Sequence, residues 1–549
     1  MNTVFMGLSH RFRMLFENIL KRLYVRRLRR VLRGHRVLKK SDSLEKINTA
    51  NIAFTTTGCI KDGFYSKIIF GAAANSAELA IRQYLLMRLA GVQFGKAILY
   101  THGKMGAKVV YPLPPEWRKI VNEHGFEVAT VRSTVLWNAL VIIFLAYGIM
   151  SIGKTFLRGI KEIIKPSLPV LGRYAFFDGL SVNNFPRSPE DGFGQDIISW
   201  YQRWPGRTSE LDAISHTVKS VTQARAMGVP LFSLRSAIPP PTKLTTLFRY
   251  LGWGVAASVI ATIDFFRGRW WHAVLLSEAS KAALMRMHQS DQLARDYLFH
   301  NSSWIYRPLW TYEAEAKGSR IILYFYSTNI EAFKRPGRDP LRAYCGYQAM
   351  TWPRYLVWDE YQADFVRRVA CGDPCIDVVG SIHFSDNTNK MPALPARTVA
   401  VFDVQPVRAV FYNTLAIDFD YYTPTTANQF LTDVHEILKE ADCSLALKRK
   451  RDIGRLAHPA YRRFVEEFEK LPHCIHVDPD VAAVNVIEGC IAVISTPFTS
   501  TALLGQALGK PSVYYDPNGM IQKDDQAAHG IDILCGQDEL RVWLKSVVV

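Results

Sequence analysis

The run CIAVISTPFTSTALLGQALGKPSVYYD at 490–516 demands a parallel sheet. An apolar, β-rich stretch at 490–494 leads into a hydroxyl-rich turn. Thr499 or Ser500 then offers a helix N-cap, Gly509 a stop, and 512–515 a second β-rich stretch. Strand, helix and strand at this spacing form a crossover unit, which joins parallel neighbours. The hydroxyls of Ser495, Thr496, Thr499, Ser500 and Thr501 gather where a helix start presents free N–H groups and partial positive charge. That chemistry suits a phosphate or diphosphate.

A chain of 549 residues exceeds one ordinary core, so two or more domains are expected. Its 67 Lys and Arg against 49 Asp and Glu give a net charge of +18, which implies a polyanionic partner such as nucleic acid, anionic lipid or a charged glycan. No RNP aromatic signature, zinc spacing or helix-turn-helix accompanies the charge, so nucleic acid is not the expected partner. The eight cysteines lack metal-ligand spacing and read as reduced thiols of a cytosolic protein. No secretory signal pattern is recognised at the start of the sequence. Residues 1–45 read as a basic amphipathic arm, with Phe12, Leu15, Ile19, Leu23, Leu28 and Leu32 set among arginines and lysines, suited to an anionic membrane surface.

No charge interrupts 133–153, an apolar stretch long enough for a membrane span. A second apolar stretch at 250–263 is too short to span comfortably, and the aromatic, arginine-bearing FFRGRWWH follows it. The expectation is a membrane-dipping insertion at about 133–270 within an α/β domain of 46–385. Within that domain 97–100, 126–130, 320–326, 355–358 and 376–379 read as strands and 115–123 as a helix. A polar, proline-bearing linker at 386–396 precedes a second α/β succession at 397–549. There 398–404, 444–447 and 474–477 read as strands, and 428–441 and 460–469 as helices. The fold class is therefore α/β, two Rossmann-like domains facing a cleft, with a membrane-associating helical insertion in the first.

Ligands of open parallel sheets bind beyond the carboxyl ends of strands. Lys448, Arg449, Lys450 and Arg451 follow one expected strand, where a nucleotide phosphate would arrive. Asp478 follows another, in an Asp-Pro-Asp turn that can face a ribose or base. The segment TPFTSTALLGQALGKPSVYYDP at 496–517 resembles the PFTS-motif polysaccharide biosynthesis family, and the whole resembles bacterial glycosyltransferases of the GT-B type. RPLWTYEAEAKGSRIILYFYSTN at 307–329, GYQAMTWPRYLVWDEYQ at 346–362 and VVGSIHFSD at 378–386 widen that resemblance. It implies that Lys448, Lys450 and Arg451 hold the donor phosphate, that Ser495, Thr496, Pro497, Phe498, Thr499, Ser500 and Thr501 cover it, and that Asp516 addresses the leaving nucleotide or sugar. His458-Pro459 resembles the His-Pro pair of some CMP-sugar-using transferases.

An inverting transfer needs a base for the acceptor hydroxyl and stabilisation of the departing phosphate. Asp359 and Glu360 follow the strand at 355–358, while His383 and Asp386 follow 376–379, so these four are the base candidates, with Asp359, Glu360 and His383 ranked ahead of Glu331. The Asp-Pro-Asp turn at 478–480 is read as a helix start and not as a metal motif, so neither metal nor cofactor is expected, the nucleotide sugar being a substrate. The expected protein is a cytoplasmic glycosyltransferase on the inner face of a bacterial membrane, using a nucleotide-sugar donor and a glycan or lipid-linked acceptor. Two rivals remain. GIMSIGKT at 148–155 fits the Walker pattern of a P-loop NTPase, with Asp264 as its metal carboxylate. The charge alone would fit a non-enzymatic basic membrane- or nucleic-acid-binding protein.

Overall fold

The computed structural model describes residues 10–58, 65–103, 108–166, 172–185, 196–219, 225–226, 228–328, 334–337, 346–382, 391–410, 421–449, 453 and 457–548. Packing divides the chain into one compact unit of Met1–Cys59, Tyr84–Ile142 and Ala409–Asp418 and another of Ile60–Gln83, Ile143–Arg408 and Phe419–Val549.

The first unit is built on helices His10–Lys40, Leu44–Thr56, Val92–His102 and Pro115–Glu123. Gly34 lets the basic helix lie directly on its neighbour, since a Cβ there would stand 1.8 Å from the Leu99 carbonyl oxygen. Arg30 fastens the same pair: its Nε donates to the Tyr100 carbonyl at 2.9 Å and its guanidinium stacks 3.9 Å from the Tyr100 ring centroid. The expected strands at 97–100 and 126–130 are corrected here. The first is helical, and of the second only a Val109–Val128 bridge forms before the helix Thr130–Ile164 begins. Both were short apolar runs, which burial alone does not assign to strand or helix.

Both sheets lie in the second unit. The first contains β1 (Tyr174–Phe177), β2 (Ala213–His216), β3 (Arg225–Ala226), β4 (Val229–Ser233), β5 (Asp296–His300), β6 (Arg320–Tyr324), β7 (Arg354–Val357) and β8 (Cys375–Val378). Their order is β3-β4-β2-β1-β5-β6-β7-β8, parallel except where β3 meets β4. Ala175, Phe177, Ile214, Leu298, Ile322 and Leu356 share one face and pack on Ile197, Ile198 and Trp200 of helix Ile197–Arg203. β1, β2, β3 and β4 thus come from within the expected insertion. β1 and β2 are buried at every position, so they lack the period-2 alternation that marks a half-exposed strand.

The second sheet has β9 (Thr398–Phe402), β10 (Ser444–Lys448), β11 (Cys474–Val477), β12 (Ala492–Ser495), β13 (Ser512–Asp516) and β14 (Ile533–Cys535), in the order β11-β10-β9-β12-β13-β14. Every pairing is parallel. Alternate residues feed two cores. Val399, Val401, Leu445 and Leu447 pack beneath helices Pro424–Glu440, Pro459–Phe468 and Gly536–Val547, while Ala400, Phe402, Ala446 and Val493 meet Val484, Ile487 and Leu504 on the other face. Two largely parallel sheets flanked by helices are the α/β, Rossmann-like class expected.

Helices Thr130–Ile164 and Leu244–Phe266 are both long and apolar enough to cross a membrane, and only 22% and 28% of their most apolar windows are buried. The second outruns the expected 250–263, because Leu244, Leu247 and Phe248 extend its apolar run. Their contact uses glycines: a Cβ on Gly254 would meet Ile152 at 2.5 Å, and one on Gly159 would meet Leu247 at 2.6 Å. The P-loop reading fails on the same helix. Residues 148–155 are helical throughout, the residues leading into them from Thr130 belong to the same helix and form no strand, and a Cβ on Gly148 would sit 2.6 Å from Leu276. The glycine serves helix packing, and Asp264 lies at the end of the second apolar helix instead of after a strand.

Candidate active site

In the second sheet the chain lays β10 and β11 on one side of β9, then returns to lay β12, β13 and β14 on the other. The direction of winding reverses between β9 and β12, the switch point at which open α/β sheets bind ligands beyond their carboxyl ends. The PFTS turn follows β12 directly, and Ser495 is paired with Phe402 of β9. Phe498 takes a left-handed conformation, φ 64°, and packs on Tyr514. Tyr514 Oη donates to the Thr499 carbonyl at 2.8 Å and Tyr422 Oη to the Pro497 carbonyl at 3.2 Å.

Three of the expected phosphate hydroxyls bond within the turn. Ser495 Oγ meets Thr501 Oγ1 at 2.9 Å, Thr501 meets Thr499 Oγ1 at 3.1 Å, and Thr499 Oγ1 donates back to the Thr496 carbonyl at 2.9 Å. Thr499 is the N-cap of helix Ser500–Ala507, yet its hydroxyl makes no capping bond. Among the described residues no side chain caps the first N–H groups of that helix, and the hydroxyls of Thr496 and Ser500 stand outside the Ser495–Thr501–Thr499 network.

The expected cations are differently disposed. Lys448 is buried and its Nζ donates to the Arg449 and Pro479 carbonyls at 2.9 and 3.1 Å, tying β10 to the turn after β11. It stands two strand spacings from Ser495, roughly 10 Å. Arg449 pairs with Glu469. Lys450, Arg451, His383, Asp386 and Glu331 lie outside the described residues. Asp403, which the sequence reading passed over, directly follows β9 at the switch point. Burial pushes its carboxyl up, Tyr461 Oη donates to one oxygen, and the other is buried without a partner. Its signal was an acidic residue just after the first strand of a Rossmann unit.

Asp478 and Asp516 shape backbone. Asp478 accepts from the Asp480 N–H at 2.8 Å, and buried Asp516 accepts from the N–H groups of Asn518 and Ile521 at 3.1 and 2.8 Å, burial raising its pKa. His458 Nδ1 accepts from the Ala460 N–H at 3.2 Å as the cap of Pro459–Phe468. Of the base candidates, Asp359 caps helix Glu360–Val369 through the Gln362 N–H at 2.9 Å and meets His529 Nδ1 at 2.7 Å. Asp359 follows β7 and His529 follows β13, so the carboxyl edges of the two sheets touch. Lys334 adds to this seam, its N–H donating to Asp525 and its carbonyl accepting from the Gln522 N–H at 3.0 Å. Glu360 is exposed, 3.5 Å from Arg367. Among the described residues no three His, Cys, Asp or Glu side chains stand together as metal ligands.

The first sheet has its own switch point, between β1 and β5. Asp178 follows β1 and accepts from Trp304 Nε1, its carboxyl raised by burial. His300 ends β5, and its Nε2 lies 3.2 Å from the Gly179 carbonyl. His216 ends β2, and its Nδ1 accepts from the Val218 N–H at 3.1 Å. Burial lowers both imidazoles, His216 to about 4. Sequence reading missed this cluster because it did not recognise β1, β2 or β5; the visible signal was a chemistry-bearing residue closing each apolar run, in YAFFD, AISH and DYLFH.

A family model described as polysaccharide biosynthesis PFTS motif protein matches residues 253–544, just over half of the chain. The chain belongs to this family. Its signature Pro497-Phe498-Thr499-Ser500 is the turn at the switch point of the second sheet. No curated protein matches this PFTS protein in sequence. Among solved structures it is similar to UDP-GlcNAc 2-epimerase from Methanocaldococcus jannaschii, at 7% identity and TM-score 0.36 over 69% of this chain and 92% of that one. The epimerase from Neisseria meningitidis bound to UDP-GlcNAc gives 8% identity and TM-score 0.33 over 68% and 90%. The calicheamicin glycosyltransferase CalG4 gives 10% and 0.31 over 69% and 90%.

Proposed function

We propose that this PFTS-family protein is a glycosyltransferase that moves a sugar from a nucleotide-sugar donor to a glycan or lipid-linked acceptor during synthesis of a bacterial surface polysaccharide. The observation that carries the reading is an uncapped helix N-terminus in the PFTS turn, at the switch point of a parallel sheet in Rossmann order. The N–H groups opening helix Ser500–Ala507 meet the donor diphosphate, with the hydroxyls of Thr496 and Ser500 as added donors and the internal Ser495, Thr499 and Thr501 network holding the loop in shape. Lys448 braces the neighbouring turn, and Lys450 and Arg451 supply positive charge to the leaving nucleotide. Asp478 faces the ribose side, and Asp516 keeps the loop after β13 in place. The protein works at the cytoplasmic face of the membrane, where the exposed apolar faces of Thr130–Ile164 and Leu244–Phe266 and the basic first helix meet lipid.

The test is thermal unfolding of the full chain with CMP-, UDP-, GDP- and CDP-sugars. One of them is expected to raise the midpoint. Ser500→Ala is expected to weaken that ligand about fivefold, the worth of one hydrogen bond near 1 kcal/mol. If every nucleotide sugar leaves the midpoint unmoved, the proposal fails.

A further inference from the structure

Three buried polar atoms on one face of the first sheet have no hydrogen-bond partner: His216 Nε2, His300 Nδ1 and Tyr324 Oη. They come from the carboxyl ends of β2, β5 and β6, on the face that also carries Phe177, Ile214 and Leu298. His300 is paired in register with Tyr324, their rings 5.8 Å apart, and the Tyr326 ring lies 5.4 Å from His300. An unmatched polar atom sealed from water costs about 1–3 kcal/mol. Three beside one switch point indicate a ligand.

The partners that are present determine what the absent one must be. A carbonyl only accepts, so His300 Nε2 carries the hydrogen it gives to Gly179, and in the neutral ring Nδ1 is a bare lone pair. At His216 the reverse holds: Nδ1 accepts from the Val218 N–H, so Nε2 carries a hydrogen with nothing to receive it. One acceptor and two donors, the second donor being the Tyr324 hydroxyl, match a polyhydroxylated ligand. Each hydroxyl of such a ligand both gives and takes.

We infer that this cluster is the acceptor-hydroxyl site of the transferase and that His300 Nδ1 is its general base. The assignment rests on the function proposed above. The acceptor O–H bond breaks, its proton passes to Nδ1, and the oxygen forms a bond to the anomeric carbon of the donor sugar. The bond from that carbon to the donor phosphate breaks, its electron pair leaving on the phosphate oxygen. Asp178, which interacts electrostatically with His300, stabilises the imidazolium until it returns its proton to water. His216 Nε2–H and the Tyr324 hydroxyl orient the acceptor. Asp359, engaged by His529 and a helix N-terminus, is left to hold the two sheet edges together.

The experiment compares wild type with His300→Gln, which keeps an N–H for the Gly179 carbonyl and removes the base. Each full-length protein is mixed with nucleotide sugars and a lipid-linked glycan extract, and binding, nucleotide release and sugar transfer are read separately. The variant is expected to bind the donor as wild type does and to lose transfer by at least about 100-fold, as general-base removal does. Transfer to a thiol or phenol, whose proton departs without help, is expected to fall far less. His216→Gln, as a second variant, is expected to raise the acceptor KM more than it lowers kcat. Equal transfer by His300→Gln and wild type overturns the assignment while leaving the transferase intact. So does a parallel loss of donor binding and thermal stability, which would mark His300 as a structural group holding an internal water. A wild-type protein that neither binds nor turns over any nucleotide sugar overturns the proposed function and this assignment with it.

Discussion

Phe498 occupies a backbone region that side-chain-bearing residues rarely adopt, and the tyrosine beneath it helps to hold it there. Tyr514→Phe keeps the ring contact and removes the bond to the Thr499 carbonyl, so unfolding stability is expected to fall by about 1 kcal/mol. Nucleotide-sugar binding should weaken with it, measured by chemical denaturation and by titration. His216 yields a pH prediction. Its folded-state pKa of about 4 lies below the ordinary 6.5, so the unfolded chain binds more protons between those values. Its contribution is complete above pH 6.5 and is lost as pH falls towards 4, a swing of about 3 kcal/mol. Buried Asp178, Asp403 and Asp516 act with the opposite sign, their carboxyls being raised, so the measurement is the difference between wild type and His216→Gln. The variant is expected to show the shallower loss of stability below pH 6.5; identical slopes would refute the account.

At the scale of elements, helix Ser500–Ala507 lies hard against the strands that flank it. A Cβ on Gly505 would meet Ser512 Oγ at 2.3 Å and Val493 Cγ2 at 2.7 Å. Gly505→Val is therefore expected to destabilise the fold by about 1–3 kcal/mol through overpacking and to displace the PFTS turn, seen as a lowered Tm with a smaller nucleotide-induced shift. Asp359→Ala removes a helix cap and the seam contact with His529, for an expected loss of about 1 kcal/mol or more and earlier proteolysis between the two sheets. Strands β9 to β13 were legible because each is a β-rich run bounded by a turn or a helix of plain 3.6-residue period. β1, β2 and β5 were not, since a strand buried on both faces carries no alternation. The PFTS turn was legible as a hydroxyl-rich turn between a strand and a helix. That Ser495, Thr499 and Thr501 bond one another was not, because a hydroxyl donates to whichever acceptor the fold brings nearest.

Across the whole molecule, the helices Thr130–Ile164 and Leu244–Phe266 expose Tyr147, Leu157, Phe248, Val255 and Phe266. Leu157→Lys with Phe248→Lys is expected to reduce co-sedimentation with anionic lipid vesicles severalfold, while nucleotide-sugar binding by the second sheet is unchanged. Sedimentation equal to wild type would remove these faces from the membrane account. By itself the sequence determined the parallel α/β class, the succession of strands and helices after 397, the two apolar helices and the hydroxyl-rich PFTS turn. All of these rest on local periodicity, capping and turn chemistry, which act over a few residues. Tertiary structure alone decided that GIMSIGKT is helical, that Lys448 is spent on carbonyls, that Asp359 meets His529, and that His216, His300 and Tyr324 share one face. These depend on strand order and burial, which bring together residues remote in sequence, and a side chain's chemistry follows from the partners it finds there.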